Sequence, residues 1–142
     1  ARYGLGIAQC RAAKRGEDVV LDDGTVVPNA ELTYRPYRER SFAYLSDTLY
    51  SHRAAELVSG VDLLYHEATF ADEDRPLVKK TGHSTAKQAA QAALAAGAGR
   101  LLIGHFSSRY KDLRQLEEEA REVFPRSEAV IEGHSYEIPR NR

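Results

Sequence analysis

The pattern that most constrains this chain is an apolar run, an alanine-rich stretch and a second apolar run in close succession. Residues 61–65 form the first run, residues 86–96 contain the alanines, and residues 101–103 form the second run. Their lengths are typical of a strand, a helix and another strand. Because a crossover of this length joins parallel strands, the pattern predicts an α/β fold with a parallel sheet. The alanine face of the helix predicts close packing on that sheet.

Capping signals predict where the helices begin and end. Thr85 and Gln88 have the spacing of a capping box, and Gly97 marks the end of the alanine-rich helix. Ser51 is a candidate cap for a shorter helix that runs to about residue 59, followed by Gly60. Two further helices are predicted, one within residues 4–16 and one that ends before residue 125, the latter with a capping box of Asp112 and Gln115.

Turn residues and apolar runs predict the remaining strands. Residues 19–21 and 25–27 flank an Asp-Asp-Gly turn and predict a hairpin. Further strands are predicted at residues 32–34, 41–45, 129–131 and 136–139.

Composition narrows the class of protein. The chain has 142 residues, of which 42% are hydrophobic and 29% charged, and these values predict one globular domain. A formal net charge of −1 gives no global electrostatic reason to bind nucleic acid. The single cysteine, Cys10, has no internal disulfide partner and favours a reducing, cytoplasmic setting. Because the sequence lacks an apolar run of about 18 residues, no membrane partner is predicted.

Polar side chains follow three successive predicted strands. Asp47 follows the first, His66 and Glu67 the second, and His105 the third, while His83 precedes the alanine-rich helix. The ends of parallel strands meet at one edge of a sheet, so these side chains are expected to converge. Carboxylate and imidazole groups suit zinc or manganese. The alternative for each residue alone is structural, in a strand-end turn or hydrogen-bonded to the backbone.

The loop after the third strand has the composition of an anion site. Arg109 lies between Ser107 and Tyr110, and a guanidinium beside hydroxyl groups is suited to phosphate. The alternative is that Arg109 is a solvated loop cation.

Four motifs together resemble the ribonuclease Z family, the tRNA 3′-end processing endonucleases of the metallo-β-lactamase fold. The motifs are Ser46-Asp47-Thr48, His66-Glu67-Ala68-Thr69, Gly82-His83-Ser84-Thr85 and Gly104-His105-Phe106-Ser107-Ser108-Arg109-Tyr110. They occur in the order of that family and at roughly its spacing. The resemblance runs from about residue 16 to about residue 133.

The resemblance implies a role for each motif residue. Asp47 would bridge two zinc ions and His105 would bind one of them. Glu67 would orient His83, and His83 would protonate the leaving oxygen. Ser107, Arg109 and Tyr110 would hold phosphate or the tRNA 3′ end. No chemistry is assigned to His52, His134 or His66, and His66 is expected to face away from Glu67 because side chains alternate along a strand.

The resemblance also implies that the chain is one part of a larger fold. Residues 1–142 correspond to the C-terminal half of an αββα sandwich, without the His-x-His-x-Asp-His motif and the exosite arm of the family. The intact parent is expected to be a homodimeric, zinc-dependent endoribonuclease that removes 3′ trailers from precursor tRNA. The isolated chain is expected to be inactive. It should also expose an apolar sheet face, and so associate or be unstable.

Two other functions fit parts of the same pattern. One is a non-catalytic module, which binds RNA or complements a second half. The other is a different phosphodiesterase of the metallo-β-lactamase fold that acts on a smaller substrate.

Overall fold

A computed structural model describes residues 3–33 and 39–138, which fall into two compact units. The first unit, within residues 3–33, contains a helix, a hairpin and a short second helix. These are α1 (Ile7–Lys14), β1 (Val19–Val20), β2 (Val26–Val27) and α2 (Asn29–Leu32). The two strands pair antiparallel, as the Asp-Asp-Gly turn predicts.

The strand predicted at residues 32–34 is wrong. Leu32 ends helix α2, and residue 34 lies outside the described residues. Pro28 fixes the backbone angle just before this helix. The carbonyl of Asn29 then accepts hydrogen bonds from both the backbone N–H and the hydroxyl of Thr33, each at 3.0 Å. These bonds close a helical turn where the apolar pattern alone suggests an extended chain.

The second unit, within residues 39–138, is an α/β layer. Its elements are β3 (Phe42–Leu45), α3 (His52–Leu57), β4 (Leu63–Glu67), a 3₁₀ turn (Asp72–Asp74), α4 (Arg75–Thr81), α5 (Ala86–Ala96), β5 (Arg100–Gly104), α6 (Arg114–Val123) and β6 (Ser127–Ala129). The four strands form a parallel sheet in the order β3-β4-β5-β6. The predicted parallel sheet is therefore confirmed.

The register of the sheet places the ends of its central strands side by side. Glu67, the last residue of β4, pairs with Gly104, the last residue of β5. Leu45, the last residue of β3, pairs with His66. The segments that leave these three strands therefore start from one edge of the sheet.

The core lies between the sheet and its helices. Six of the seven alanines of α5 are buried, and Leu64, Leu101 and Ile103 of the sheet belong to the same apolar cluster as Leu116 of α6. Small side chains allow α5 to approach the strands closely, as the alanine pattern predicts. On β3, Phe42 and Tyr44 are 54% and 61% exposed, so the sheet carries exposed aromatic groups, in keeping with the expected uncovered face.

Two of the three predicted helix caps are confirmed. The Thr85 hydroxyl accepts from the Gln88 backbone N–H at 3.2 Å, and the Gln88 side chain accepts from the Thr85 N–H at 3.0 Å. Ser51 likewise accepts from the Ala54 N–H at 3.2 Å. Helix α5 ends with Gly97 as its C-cap, as predicted. Helix α3 ends at Leu57, about two residues before its predicted end, although Gly60 has the expected positive φ.

The capping box predicted for α6 is wrong. The carboxylate of Asp112 accepts from the backbone N–H of Arg114, two residues later, at 3.0 Å. The amide of Gln115 donates instead to Glu73 and Glu119. An aspartate turn therefore precedes this helix in place of a reciprocal cap.

Strand positions after residue 60 differ from the prediction. Strand β4 ends two residues later than predicted, so Glu67 lies within it. Strand β6 begins at Ser127, because the Ser127 hydroxyl bonds to the Phe124 carbonyl at 2.6 Å and directs the chain onto β5 directly after α6. Residues 136–138 form no strand, since Tyr136 instead packs under the Arg100 guanidinium and accepts from the Ile131 N–H. Residue 139 lies outside the described residues.

None of the helices within the described ranges is long and apolar enough to span a bilayer.

Candidate active site

The carboxyl edge of the sheet brings together an aspartate and two histidines. Asp47 follows β3, His83 precedes α5 and His105 follows β5. One potential ligand atom from each of the three lies within 4.8 Å of the others. Asp47 Oδ1 is 3.3 Å from His105 Nε2 and 3.9 Å from His83 Nδ1. The convergence predicted from the strand ends is therefore present for Asp47, His83 and His105, but not for His66.

Two of these residues have an unusual backbone conformation. Asp47 has φ +49° and His105 has φ +59°, and they are the only non-glycine residues with positive φ within the described ranges. This left-handed conformation is costly for residues with a side chain. Such strain is concentrated at functional sites, where the surrounding structure holds it in place.

Glu67 is the centre of the hydrogen-bond network behind the three side chains. Its side chain is fully buried. Its carboxylate accepts hydrogen bonds from His83 Nδ1 (2.8 Å), the Thr69 hydroxyl (2.7 Å) and the backbone N–H groups of Thr48 (3.0 Å), Thr69 (3.2 Å) and Ser84 (3.1 Å). Burial by itself would raise the pKa of Glu67, but these hydrogen bonds outweigh it and hold the pKa below its usual range.

The network connects the segments that carry the three candidate ligands. Thr48 is adjacent to Asp47, and Ser84 is adjacent to His83. The Thr69 hydroxyl lies 3.0 Å from His105 Nδ1. The hydrogen bonds to the Glu67 carboxylate therefore hold in place all three segments that carry the candidate metal ligands. Neither oxygen of this carboxylate is exposed to solvent.

The donor set fits a transition metal ion. One carboxylate and two imidazoles are ligands that zinc and manganese accept. His83 uses Nδ1 to bond Glu67, which leaves Nε2 as its available ligand atom. The side chains of Asp47 and His105 are 73% and 41% exposed, so an ion can reach them. Three donors leave coordination positions for water, substrate or further ligands.

The predicted phosphate loop lies near this cluster but has internal partners. The Arg109 guanidinium pairs with Asp74 at 3.1 Å and donates to the Ser107 hydroxyl at 3.2 Å. It also lies 5.3 Å from the centre of the Phe70 ring, and Phe70 packs edge-on against His83. Arg109 remains 46% exposed, and is therefore accessible to an anion.

Tyr110 has a structural role in this loop. Its hydroxyl donates to Asp74 and accepts from the Ala71 backbone N–H at 2.9 Å. Burial, together with the bond to Asp74, raises the pKa of Tyr110 to about 12. Tyr110 therefore fastens the loop to the segment before α4, and both functions of its hydroxyl are used within the chain.

The remaining histidines lie apart from the cluster. His66 is buried and pairs with Ile103 of the core, on the face opposite to Glu67, as strand alternation predicts. Its Nδ1 lies 2.7 Å from the Glu67 carbonyl, and burial lowers its pKa. His52 forms an exposed pair with Glu56 at 3.3 Å, and His134 bonds through its backbone to Ile131.

Thr48, Thr69 and Ser84 are the residues of this site that the sequence pattern does not single out. Each stands next to or near a predicted site residue within one of the four motifs. Their positions in those motifs are the only signal for them. Their role depends on where one hydroxyl and three backbone N–H groups point, which only the folded chain defines.

A parallel sheet with an Asp/His cluster at its carboxyl edge is consistent with a metallohydrolase. The family model for the beta-lactamase superfamily domain matches residues 11–106. The chain therefore belongs to the beta-lactamase superfamily. Among solved structures, the metallo-beta-lactamase fold protein YhfI from Bacillus subtilis is similar, with a TM-score of 0.59 and 29% identity over 66% of this chain and 38% of that one.

Curated relatives narrow the resemblance to one group. Ribonuclease Z of Porphyromonas gingivalis strain W83 is 49% identical over 122 residues, which is 86% of this chain and 40% of that protein. Ribonuclease Z of Nostoc sp. PCC 7120 is 46% identical over 134 residues, which is 91% of this chain and 42% of that protein. The similarity that the four motifs indicate is thereby confirmed. The chain spans about 40% of the length of these curated relatives.

Proposed function

We propose that the protein containing this chain is a zinc-dependent endoribonuclease that hydrolyses a phosphodiester bond to remove 3′ trailers from precursor tRNA. The observation that carries the proposal is the buried Glu67 carboxylate, which fixes Asp47, His83 and His105 at one sheet edge. The curated relatives named Ribonuclease Z support the choice of substrate.

Asp47 and His105 are the proposed zinc ligands. The two oxygens of the Asp47 carboxylate suit a bridge between two ions, and His105 supplies one nitrogen. When bound, zinc supplies Lewis-acid chemistry, through which water is activated and charge on the departing oxygen is stabilised. The donor set has room for ligands from the part of the parent protein outside these residues. Without them, we expect the isolated chain to be inactive.

His83 is the proposed proton donor to the leaving oxygen. Its Nδ1 is held by Glu67 at 2.8 Å, so Nε2 is the nitrogen that can carry a proton toward the substrate. Glu67 acts through His83 and is a positioning residue. The alternative role for His83 is that of a third zinc ligand, since it belongs to the same cluster as Asp47 and His105.

Arg109 is the proposed phosphate contact. It is half exposed and lies over the Phe70 ring, which itself contacts His83 of the cluster, so we expect its flexible guanidinium to meet a phosphate oxygen bound there. Ser107 orients Arg109 through its hydroxyl, and Tyr110 holds the loop in place. We further propose that the parent acts in the cytoplasm as a homodimer, as its resemblance to ribonuclease Z implies.

Cleavage of a precursor tRNA by the full-length parent tests the proposal. Asp47→Ala and His83→Ala should each lower turnover by about 100-fold or more, which is typical for loss of a metal ligand or a general acid. His52→Ala is the matched control, because the exposed His52 pairs with Glu56 and does not belong to the Asp47, His83 and His105 cluster, and it should retain full activity. Unchanged turnover in both site variants would disprove the assignment.

Zinc content separates the two roles of His83. Elemental analysis of the purified parent should give the same zinc content for His83→Ala as for the unaltered protein if His83 is a proton donor. A reduced content would make it a ligand. A parent that hydrolyses small phosphodiesters but spares precursor tRNA would support the other phosphodiesterase function, and one without hydrolytic activity the non-catalytic module.

A further inference from the structure

We propose that Thr69 is a positioning residue that determines which ring nitrogen of His105 carries the proton. The inference rests on the proposed function only in giving His105 a role as a metal ligand. Its own basis is the position of one hydroxyl group. The Thr69 hydroxyl lies 2.7 Å from Glu67 Oε2, 3.0 Å from His105 Nδ1 and 3.0 Å from the His105 carbonyl oxygen.

A hydroxyl has one hydrogen to donate, and the distances indicate where it goes. Glu67 Oε2 is an acceptor, since it also receives the backbone N–H groups of Thr69 and Ser84. The His105 carbonyl oxygen can likewise only accept. The hydrogen of Thr69 therefore points to these two oxygens, of which Glu67 Oε2 is the nearer, and not to His105 Nδ1.

The remaining contact then defines the tautomer of His105. With its hydrogen directed to Glu67, the Thr69 oxygen is an acceptor toward His105 Nδ1, so Nδ1 must be the donor. The reverse arrangement, with Thr69 donating to Nδ1, would leave the Thr69 oxygen facing both Glu67 Oε2 at 2.7 Å and the His105 carbonyl oxygen at 3.0 Å, with no hydrogen toward either. That arrangement would place two acceptors in repulsive contact.

The tautomer of His105 determines whether its other ring nitrogen, Nε2, carries a hydrogen or a lone pair. In a neutral imidazole with hydrogen on Nδ1, Nε2 carries a lone pair. Nε2 lies 3.3 Å from Asp47 Oδ1, so two acceptor atoms face each other across the site. A bound cation satisfies both. Thr69 thus presents His105 in the form that a metal ion requires, as supporting hydrogen bonds commonly do for histidine ligands.

Long-range proton–nitrogen NMR of the metal-free, ¹⁵N-labelled full-length parent tests this directly. At about pH 8, above the ordinary titration range of imidazole, His105 should show hydrogen on Nδ1. Thr69→Ser keeps the hydroxyl and should preserve that signature. Thr69→Val has nearly the same shape but lacks the hydroxyl, and should shift His105 toward hydrogen on Nε2. The signals of His83, held by Glu67, should stay the same in both variants and show that the fold is retained.

Zinc titration of the same three proteins gives a second readout. Thr69→Val should bind zinc about 10-fold more weakly, and Thr69→Ser within about threefold of the unaltered parent. Hydrogen on Nε2 in the unaltered parent overturns the inference even if Thr69→Val does not fold, and so does an unchanged tautomer in a folded Thr69→Val. A parent that fails to cleave RNA while the tautomer is as stated would refute the proposed function and leave this inference standing.

Discussion

The fully buried carboxylate of Glu67 and the partly exposed imidazole of His83, 16 residues apart in sequence, form a hydrogen bond of 2.8 Å. A second carboxylate–imidazole pair, Glu56 with His52, lies on the surface of α3 at 3.3 Å. The two pairs have the same chemistry, but only Glu67 has every other acceptor position filled by groups from neighbouring segments. Comparing the two pairs separates the effect of burial on the free energy of unfolding from the effect of the carboxylate–imidazole pair itself.

Replacing the buried carboxylate should cost far more stability than replacing the exposed one. Glu67→Gln places an amide hydrogen against N–H or O–H donors, and leaving buried polar groups unpaired costs about 1–3 kcal/mol. Glu56→Gln should change the free energy of unfolding by less than about 0.5 kcal/mol. Urea unfolding followed by circular dichroism measures both. Equal, small changes would show that Glu67 does not organise the site.

Stability at acid pH should depend on the same carboxylate. The pKa of Glu67 is lowered in the folded chain relative to the ordinary value of 4.5, so its ionised form favours the folded state. That contribution is complete above pH 4.5 and is lost as the pH falls through the lower, folded-state pKa. The stability of Glu67→Gln should therefore fall less steeply with pH below 4.5 than that of the unaltered chain. Parallel curves for the two proteins would contradict the prediction.

The stability of the folded chain at alkaline pH should depend on Tyr110. Its pKa is raised to about 12 in the folded chain, first by burial and then by the bond to Asp74. The neutral phenol therefore favours the folded state below its ordinary pKa of 10, and this contribution is lost as the pH rises toward 12. Tyr65 has a similarly raised pKa, so phenolate absorbance should show at least two late-titrating tyrosines. In Tyr110→Phe one of them should disappear, and the stability should depend less on pH above 10.

Gly99 should tolerate no larger side chain. A Cβ at this position would overlap the backbone carbonyl of Asp62, and a backbone atom cannot move aside as a flexible side chain can. Gly99→Ala should lower the free energy of unfolding by about 1–3 kcal/mol. Gly6→Ala is the control, because its nearest contact, Gln9 Oε1, lies at an ordinary 3.7 Å. Thermal unfolding of the two variants gives the comparison, and equal melting temperatures would refute the predicted overlap.

The sequence predicts those parts of the structure that are set locally or by a repeating pattern. The capping box of Thr85 and Gln88 lies within four residues, and the alanine face of α5 has a clear helical period. The convergence of Asp47, His83 and His105 is also predictable, because the ends of parallel strands must share an edge.

The sequence does not predict features that depend on competing partners. Asp112 and Gln115 have capping-box spacing, but Gln115 finds Glu73 and Glu119 instead. The Thr69 hydroxyl joins Glu67 to His105, and the spacing of residues in the sequence does not predict where this hydroxyl points. Such contacts arise from tertiary packing, which selects among partners that the local sequence leaves equivalent.

The left-handed backbone at Asp47 and His105 has a consequence for protein engineering. Glycine adopts these angles without strain, so Asp47→Gly and His105→Gly are the exchanges that a search for greater stability would favour. Both would remove a proposed zinc ligand. Selection for thermal resistance alone would therefore favour the loss of these two proposed ligands. Variants obtained in that way need to be screened for metal binding as well as for melting temperature.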